Sequence, residues 1–223
     1  MSVPDIVKLI TESGFTIVFL SVAMFFILKF GTSAWRKWDA KTTEQRHESL
    51  EERRDIVSRH INRILEDALL KTKASRAYVF ELCNGSYAKG GLPFSKMTCT
   101  YEASAPGISP QYNNRQLLPV SVFQPFLDEA YAQKYVITDV ELPSKELTPV
   151  IYETLKERGV LYTIRAKFCD MTGSKLGFLG LDYCTKRPDD ITEQEAISEV
   201  QEMAVKVGAL LSVNDKSNEG GKK

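Results

Sequence analysis

Histidine and paired cysteine are the scarcest chemistry in this sequence. Only His47 and His60 occur, and Cys83, Cys99, Cys169 and Cys184 stand singly with no C-x-x-C pair. A zinc centre of the usual spacing is therefore excluded, no metal ligand is assigned, and the thiols read as buried and reduced. The motifs G-x-S-x-G and H-E-x-x-H are missing, and Gly90-Gly91 lacks the following Lys-Ser or Lys-Thr of a phosphate loop. Without a nucleophile placed near a base, no catalytic residue is assigned and the chain is not expected to be an enzyme. Charge of one sign is absent too. Lys plus Arg and Asp plus Glu number 29 each, so no overall field recruits nucleic acid and no such partner is expected.

One apolar run is present. Phe15 to Leu28 reads FTIVFLSVAMFFIL without a charge. A spanning helix needs about 20 predominantly apolar residues, so this run spans only if it starts near Leu9 and takes in Glu12. Lys8 and Glu12 stand at i,i+4 and can pair near the interface, Lys29 can snorkel, and Trp35 and Trp38 suit an interfacial belt. A cleaved signal peptide would want a more basic start and a small-residue cleavage site. A buried core helix would also use such a run, whereas a helix lying in the membrane plane would want one polar face. We read residues 1–38 as a single-pass transmembrane helix with its flank. Lys29, Arg36, Lys37 and Lys41 against Asp39 place the following chain in the cytoplasm, on the inner (cytoplasmic) membrane. Membrane lipid is thus the first expected partner.

Residues 39–73 contain no Gly or Pro, and 39–55 read as a charged helical stalk. Leu50, Val57, Ile61, Ile64 and Ala68 then recur as a coiled-coil-like a/d seam, widened by Ile56, His60, Leu65 and Leu69. The remainder alternates strands and helices. Ala77 to Cys83 is a strand ended by the turn Asn84-Gly85, and in Lys96 to Ser104 Met97, Cys99 and Tyr101 alternate with polar neighbours. Ala105 to Pro119 reads as a loop and Val120 to Gln133 as a helix with Val122, Phe123, Phe126, Leu127 and Ala130 on one face. A short strand spans Tyr135 to Val140. Thr148-Pro149 caps a helix that Gly159 stops. Tyr162 to Asp170 and Lys175 to Cys184 make a hairpin, and Thr192 to Glu195 is a capping box opening a last helix with Ile197, Val200, Ala204, Val207 and Leu211 as its seam. The expected class is α+β, a largely antiparallel central sheet flanked by helices, over residues 56–213, with 214–223 a disordered tail.

Three segments carry a family resemblance. They are Arg76 to Gly85 (RAYVFELCNG) after an amphipathic helix, Lys134 to Asp139 (KYVITD) before a helix, and the closing hairpin with Gly177-Phe178-Leu179-Gly180 before a long helix. From about Ile56 to Val213 the chain resembles the GAF domain, a small-molecule-sensing relative of the PAS domain. The resemblance implies a pocket on the sheet face opposite the terminal helices. It also implies that those helices pack together and pair with a second copy as a homodimer; the alternative is that both merely cover their own sheet. The N-K-F-D-E pattern of cyclic-nucleotide-binding members, a bilin-attachment cysteine in the phytochrome context and a haem-binding histidine are absent, so no cofactor is assigned.

Strand alternation puts Tyr162, Ile164, Ala166 and Phe168 on one face and Thr163, Arg165, Lys167 and Cys169 on the other. On the neighbouring strand Phe178, Gly180 and Asp182 oppose Leu179, Leu181 and Tyr183. Arg165 or Lys167 with Asp182 would hold a polar or anionic small-molecule ligand, or else form a cross-strand ion pair in water. Asn84 and Gly85 are candidates for the pocket mouth, Tyr101 and Phe123 for its walls. The function expected is a membrane-tethered, non-catalytic sensory or recruitment module facing the cytoplasm. The alternative is a structural or membrane-acting protein, loosely similar to phage-encoded single-span proteins of holin-like or scaffold type, whose domain serves oligomerisation.

Overall fold

The computed structural model describes residues 19–20, 24–25, 32–83, 95–142 and 147–212. The chain divides into two compact units, 1–55 and 56–223. In the first, the described members of the apolar run, Phe19, Leu20, Met24 and Phe25, are helical and exposed. Among the described residues no helix is long and apolar enough to cross a membrane. The rest of the 15–28 run, the Asn84-Gly85 turn and the tail from Asn214 lie outside the described residues. Helix α1 spans Thr32–Thr72 and contributes its residues from Ile56 onward to the second unit.

Six strands form one sheet in the second unit. They are β1 (Arg76–Cys83), β2 (Lys96–Ser104), β3 (Leu118–Pro119), β4 (Val136–Asp139), β5 (Tyr162–Cys169) and β6 (Lys175–Tyr183), in the order β3-β2-β1-β6-β5-β4. Every neighbouring pair is antiparallel. Helices α2 (Gln124–Ala132), α3 (Pro149–Glu157) and α4 (Glu193–Leu211) complete it. The sheet separates two cores. Ile61, Leu65 and Ala68 of α1 share one with Ile197, Val200 and Val207 of α4 and with Val79, Ile164 and Leu181 of the strands. Tyr78, Phe80 and Phe178 share the other with Phe126 of α2 and Ile151 and Leu155 of α3. The period-2 reading of β5 and β6 therefore assigns their faces correctly. From Val57 onward both helical seams pack against their own sheet, while Ile56 and His60 are exposed and do not widen the stripe.

Strand β2 departs from simple alternation. Val79 pairs with Tyr101 and Phe80 with Cys99, so Thr100 is an extra residue opposite the β1 backbone. Such a bulge inverts the facing of everything beyond it. Met97 and Cys99 lie with the aromatic core, whereas Tyr101 lies with the terminal helices and meets Ser58 Oγ through its hydroxyl at 3.0 Å.

The helix read from Val120 is also divided. A 3-10 turn covers Val120–Val122, and α2 starts only at Gln124 with Pro125 in its first turn. A helix begun at Val120 would place Pro125 where an N–H must reach back, and proline has none. Val122 is accordingly exposed, and Phe126, Leu127 and Ala130 carry the buried face. Helix α3 ends in a Schellman turn. The N–H of Val160 donates to Leu155 O at 3.0 Å and that of Gly159 to Lys156 O at 2.9 Å, with Gly159 at φ +67° where a side chain would be strained.

The capping box of α4 is formed as the sequence reads. Thr192 Oγ1 accepts from Glu195 N at 3.2 Å, and Thr192 N donates to the Glu195 carboxylate at 2.8 Å. Removing the hydroxyl with Thr192→Ala is expected to cost about 1 kcal/mol in urea denaturation. The backbone and hydroxyl of Thr192 hold the Glu195 carboxyl below the ordinary range, and the Thr172 hydroxyl does the same for Asp170 in the β5–β6 turn. Because both folded values are depressed, their contribution is complete above the unfolded value and is lost as pH falls through the folded one. Stability at pH 3 should therefore fall less in an Asp170→Asn, Glu195→Gln variant than in the parent, measured as the pH 7 to pH 3 difference in melting temperature.

Candidate functional site

The aromatic core is a packed wall. Phe80 and Phe178 stack with centroids 4.8 Å apart, and Phe126 meets Phe178 edge-on at 6.3 Å. Tyr78 sets its edge against Phe80 at 5.7 Å, and its hydroxyl meets Thr163 Oγ1 at 3.2 Å. Burial pushes that hydroxyl's pKa up. Between this wall and helix α3 lies a cavity of about 30 Å³, bordered by Tyr78, Phe123, Phe126, Arg115, Arg158 and Asp182. That volume is roughly one water's share of the liquid.

Asp182 points into this face because it follows Phe178 and Gly180 at period 2 on β6, and it pairs in register with Arg76 and Thr163. Its partner is Arg115, whose Nη2 lies 2.9 Å from Asp182 Oδ2 with both side chains about 1% exposed. Arg115 comes from the 3-10 turn Tyr112–Arg115, inside the stretch that reads as a loop. Gln116 Nε2 donates to Cys99 O at 2.9 Å, and Leu117 N to Thr98 Oγ1 at 3.1 Å, tying the turn to β2. The guanidinium also lies over the Tyr78 ring at 5.0 Å.

Arg76 is a second buried guanidinium, and it clamps three segments. Its Nε donates to Ser109 O at 3.0 Å, Nη1 and Nη2 to Arg158 O at 3.2 Å, and Nη1 to Cys184 Sγ at 3.2 Å. The Arg158 carbonyl is the cap carbonyl of α3, which otherwise lacks a helical donor. Arg158 itself borders the cavity. Burial first, and then the charges of Arg115 and Arg76, lower its pKa to about 10 against the pull of Asp182.

The candidate residues thus separate. Asp182 and Phe123 line the cavity. Arg165 is buried on the same sheet face, but its Nη1 donates to Thr138 Oγ1 and its guanidinium covers the Phe126 ring at 3.5 Å. Lys167 donates from Nζ to Tyr131 O at 2.7 Å. Neither is the partner of Asp182, because both turn towards α2 and β4, so the expected cross-strand pair is replaced by a buried pair with Arg115. Tyr101 is on the opposite face for the reason the bulge supplies. Asn84 and Gly85 lie outside the described residues. Arg115, Arg158 and Tyr78 are cavity residues that the sequence reading missed; an arginine bounded by apolar Leu117 and Leu118 in a polar loop was the available signal.

No cysteine is disulfide-bonded, and Cys99 is fully buried. Burial pushes its thiol up to about 12, so little thiolate exists near neutrality. Iodoacetamide at pH 8 should leave Cys99 unlabelled in the native protein and label it in urea, read by peptide mass spectrometry.

No protein-family model matches the sequence, and no curated protein matches it. Solved structures do. The GAF domain of PixJ from Thermosynechococcus elongatus, in its blue-light-absorbing form, superposes with a TM-score of 0.51 at 17% identity over 71% of this chain and 84% of that one. The fold is GAF-like. A far-red cyanobacteriochrome photoreceptor gives a TM-score of 0.50 at 13% identity over 74% of this chain and 94% of that one. A GAF domain from Synechocystis sp. PCC6803 in its photoproduct state gives 0.50 at 11% identity over 68% and 90%.

Proposed function

We propose that this chain is a membrane-tethered, non-catalytic GAF-like module that senses or recruits at the cytoplasmic surface. The observation that carries the sensing half is the buried Arg115–Asp182 pair bordering a cavity on the sheet face away from α1 and α4. Polar groups converging in an apolar wall are the usual make-up of a small-molecule site. The similar structures named as photoreceptors add an analogy of fold to a sensory role. The tether rests on the exposed apolar helical residues Phe19, Leu20, Met24 and Phe25 and on the basic flank Lys29, Arg36, Lys37 and Lys41. Membrane lipid and a second copy of the chain are its proposed partners.

Thermal-shift screening of the full chain in neutral detergent, against nucleotides and small metabolites, tests sensing. A reproducible rise with at least one compound is expected, and no rise with any overturns it. Carbonate extraction of membranes tests the tether. The parent chain should stay in the pellet and a Phe19→Asp, Phe25→Asp variant should be released; a parent in the supernatant overturns the tether.

One observation favours a second reading, a structural or holin-like component. The cavity measures about 30 Å³ and its wall is packed from the chain's own aromatic side chains. On that reading no metabolite shifts the melting temperature, and expression permeabilises the inner membrane unless the 15–28 run is broken.

A further inference from the structure

The Arg115–Asp182 pair is incomplete in a way a purely structural ion pair need not be. Only Nη2 and Oδ2 meet, while Arg115 Nε and Asp182 Oδ1, both buried, have no protein hydrogen-bond partner. Arginine and carboxylate ordinarily gain most by pairing two-to-two, and each buried polar atom left over is costly. A donor and an acceptor are thus held beside a cavity of about 30 Å³.

The charges are unequal as well. Arg115 and Arg158 both border the cavity, but Asp182 is the single carboxylate among its described lining residues. Among the described residues no carboxylate lies in salt-bridge reach of Arg158. Burial, and then the neighbouring charge of Arg115, lower the pKa of its guanidinium against the opposing pull of Asp182.

The element bearing Arg115 is a single 3-10 turn. Arg115 is the one buried residue of the turn Tyr112–Arg115. Two residues later Leu117 sits at φ +51°, a left-handed conformation that is uncommon for leucine, with its side chain exposed. The Arg115–Asp182 pair is the turn's buried ionic tie, alongside the hydrogen bonds of Gln116 and Leu117 to β2.

We propose that Asp182 is an internal stand-in for the ligand: a compact oxyanion, phosphate or carboxylate, displaces it and is held between Arg115 and Arg158. This deepens the sensing reading and rests on it. A phosphate group does not fit the cavity as it stands, so binding requires the Asp182 carboxylate to leave Arg115 and the Tyr112–Arg115 turn to move. The oxyanion is free in solution or is the charged end of a metabolite. The chemistry at Arg115 and Arg158 is the same in both cases, two guanidinium groups donating to anionic oxygens.

The test uses the full chain in neutral detergent, with sodium phosphate against sodium chloride at equal ionic strength, and AMP against adenosine. Phosphate should raise the melting temperature where chloride does not, and AMP should act where adenosine does not; phosphate acting alone marks a free anion, and AMP exceeding phosphate marks a metabolite. Arg158→Gln, compared with its own unliganded melt, should lose the phosphate response. Asp182→Asn removes the competing charge and should bind phosphate about 10-fold more tightly by calorimetry, as the binding-competent fraction rises. A simple structural pair predicts no such gain. Phosphate matching chloride in both the parent and Asp182→Asn overturns the proposal. Should Asp182→Asn not fold, Arg158→Gln decides: a retained phosphate response overturns, a lost one supports. Uncharged compounds raising the melt while oxyanions do not would leave the sensing reading standing and remove this one; no response to any compound removes both.

Discussion

Asp182→Ala is expected to lower the unfolding free energy by about 3–5 kcal/mol, the usual cost of leaving one member of a buried ion pair uncompensated. The reason is what surrounds Arg115. Its side chain is about 1% exposed and has Tyr78 and Phe80 at its flank. Burial works against its charge, and Asp182 is the main attraction that keeps its pKa raised all the same. Without Asp182 the guanidinium must either stay buried without a counter-charge or pull the Tyr112–Arg115 turn out into water, and both routes cost stability. Arg115→Met combined with Asp182→Leu should recover most of the loss, since replacing both ions by apolar side chains removes the desolvation penalty as well as the attraction. Urea denaturation followed by far-UV circular dichroism on the parent, both single variants and the double variant gives the coupling. A loss below about 1 kcal/mol for Asp182→Ala would mean the pair is effectively solvated, and the site would then have no buried charge to offer a ligand.

The facing of Asp182 was legible in the sequence, and its partner was not. Period-2 alternation along β5 and β6 is regular enough that Phe178, Gly180 and Asp182 separate from Leu179, Leu181 and Tyr183 by inspection, and the two cores bear this out. Alternation says nothing about what reaches that face from elsewhere in the chain. Arg115 arrives from a stretch rich in Pro and Asn, 67 residues away in sequence, where local patterns report turns rather than burial. Tyr101 fails for a different reason. A single bulged residue, Thr100, shifts the phase of β2, and nothing in the string KMTCTYEAS marks it. The helix begins at Gln124 and not at Val120 as the sequence reading had it, and Pro125 was the signal that reading passed over. Element order follows from caps, turns and periodicity; the site depends on long-range approach, which those signals do not encode.

The glycines of the closing hairpin show that difference at one position. Gly177 is recognisable as part of the Gly-Phe-Leu-Gly segment, yet its requirement comes wholly from packing. A Cβ built there would lie 1.9 Å from the Phe80 carbonyl oxygen and 3.0 Å from the Phe168 ring. Phe80 is the register partner of Phe178 in the β1–β6 ladder, and Glu81 that of Gly177. Accommodating a methyl group therefore means pushing the two central strands apart at the point where Phe80 stacks on Phe178. Overpacking of a core commonly costs about 1–3 kcal/mol when side chains can give way. Here the nearest obstacle is backbone, so Gly177→Ala is expected to cost about 3 kcal/mol or more. Gly173→Ala provides the contrast. Nothing lies near its Cβ, and its φ of +85° confines the loss to local strain, on the order of 1 kcal/mol. Urea denaturation of the two variants side by side separates the causes. Equal losses would mean that the β1–β6 ladder relaxes around Gly177 and that the aromatic wall it supports is softer than its close stacking implies.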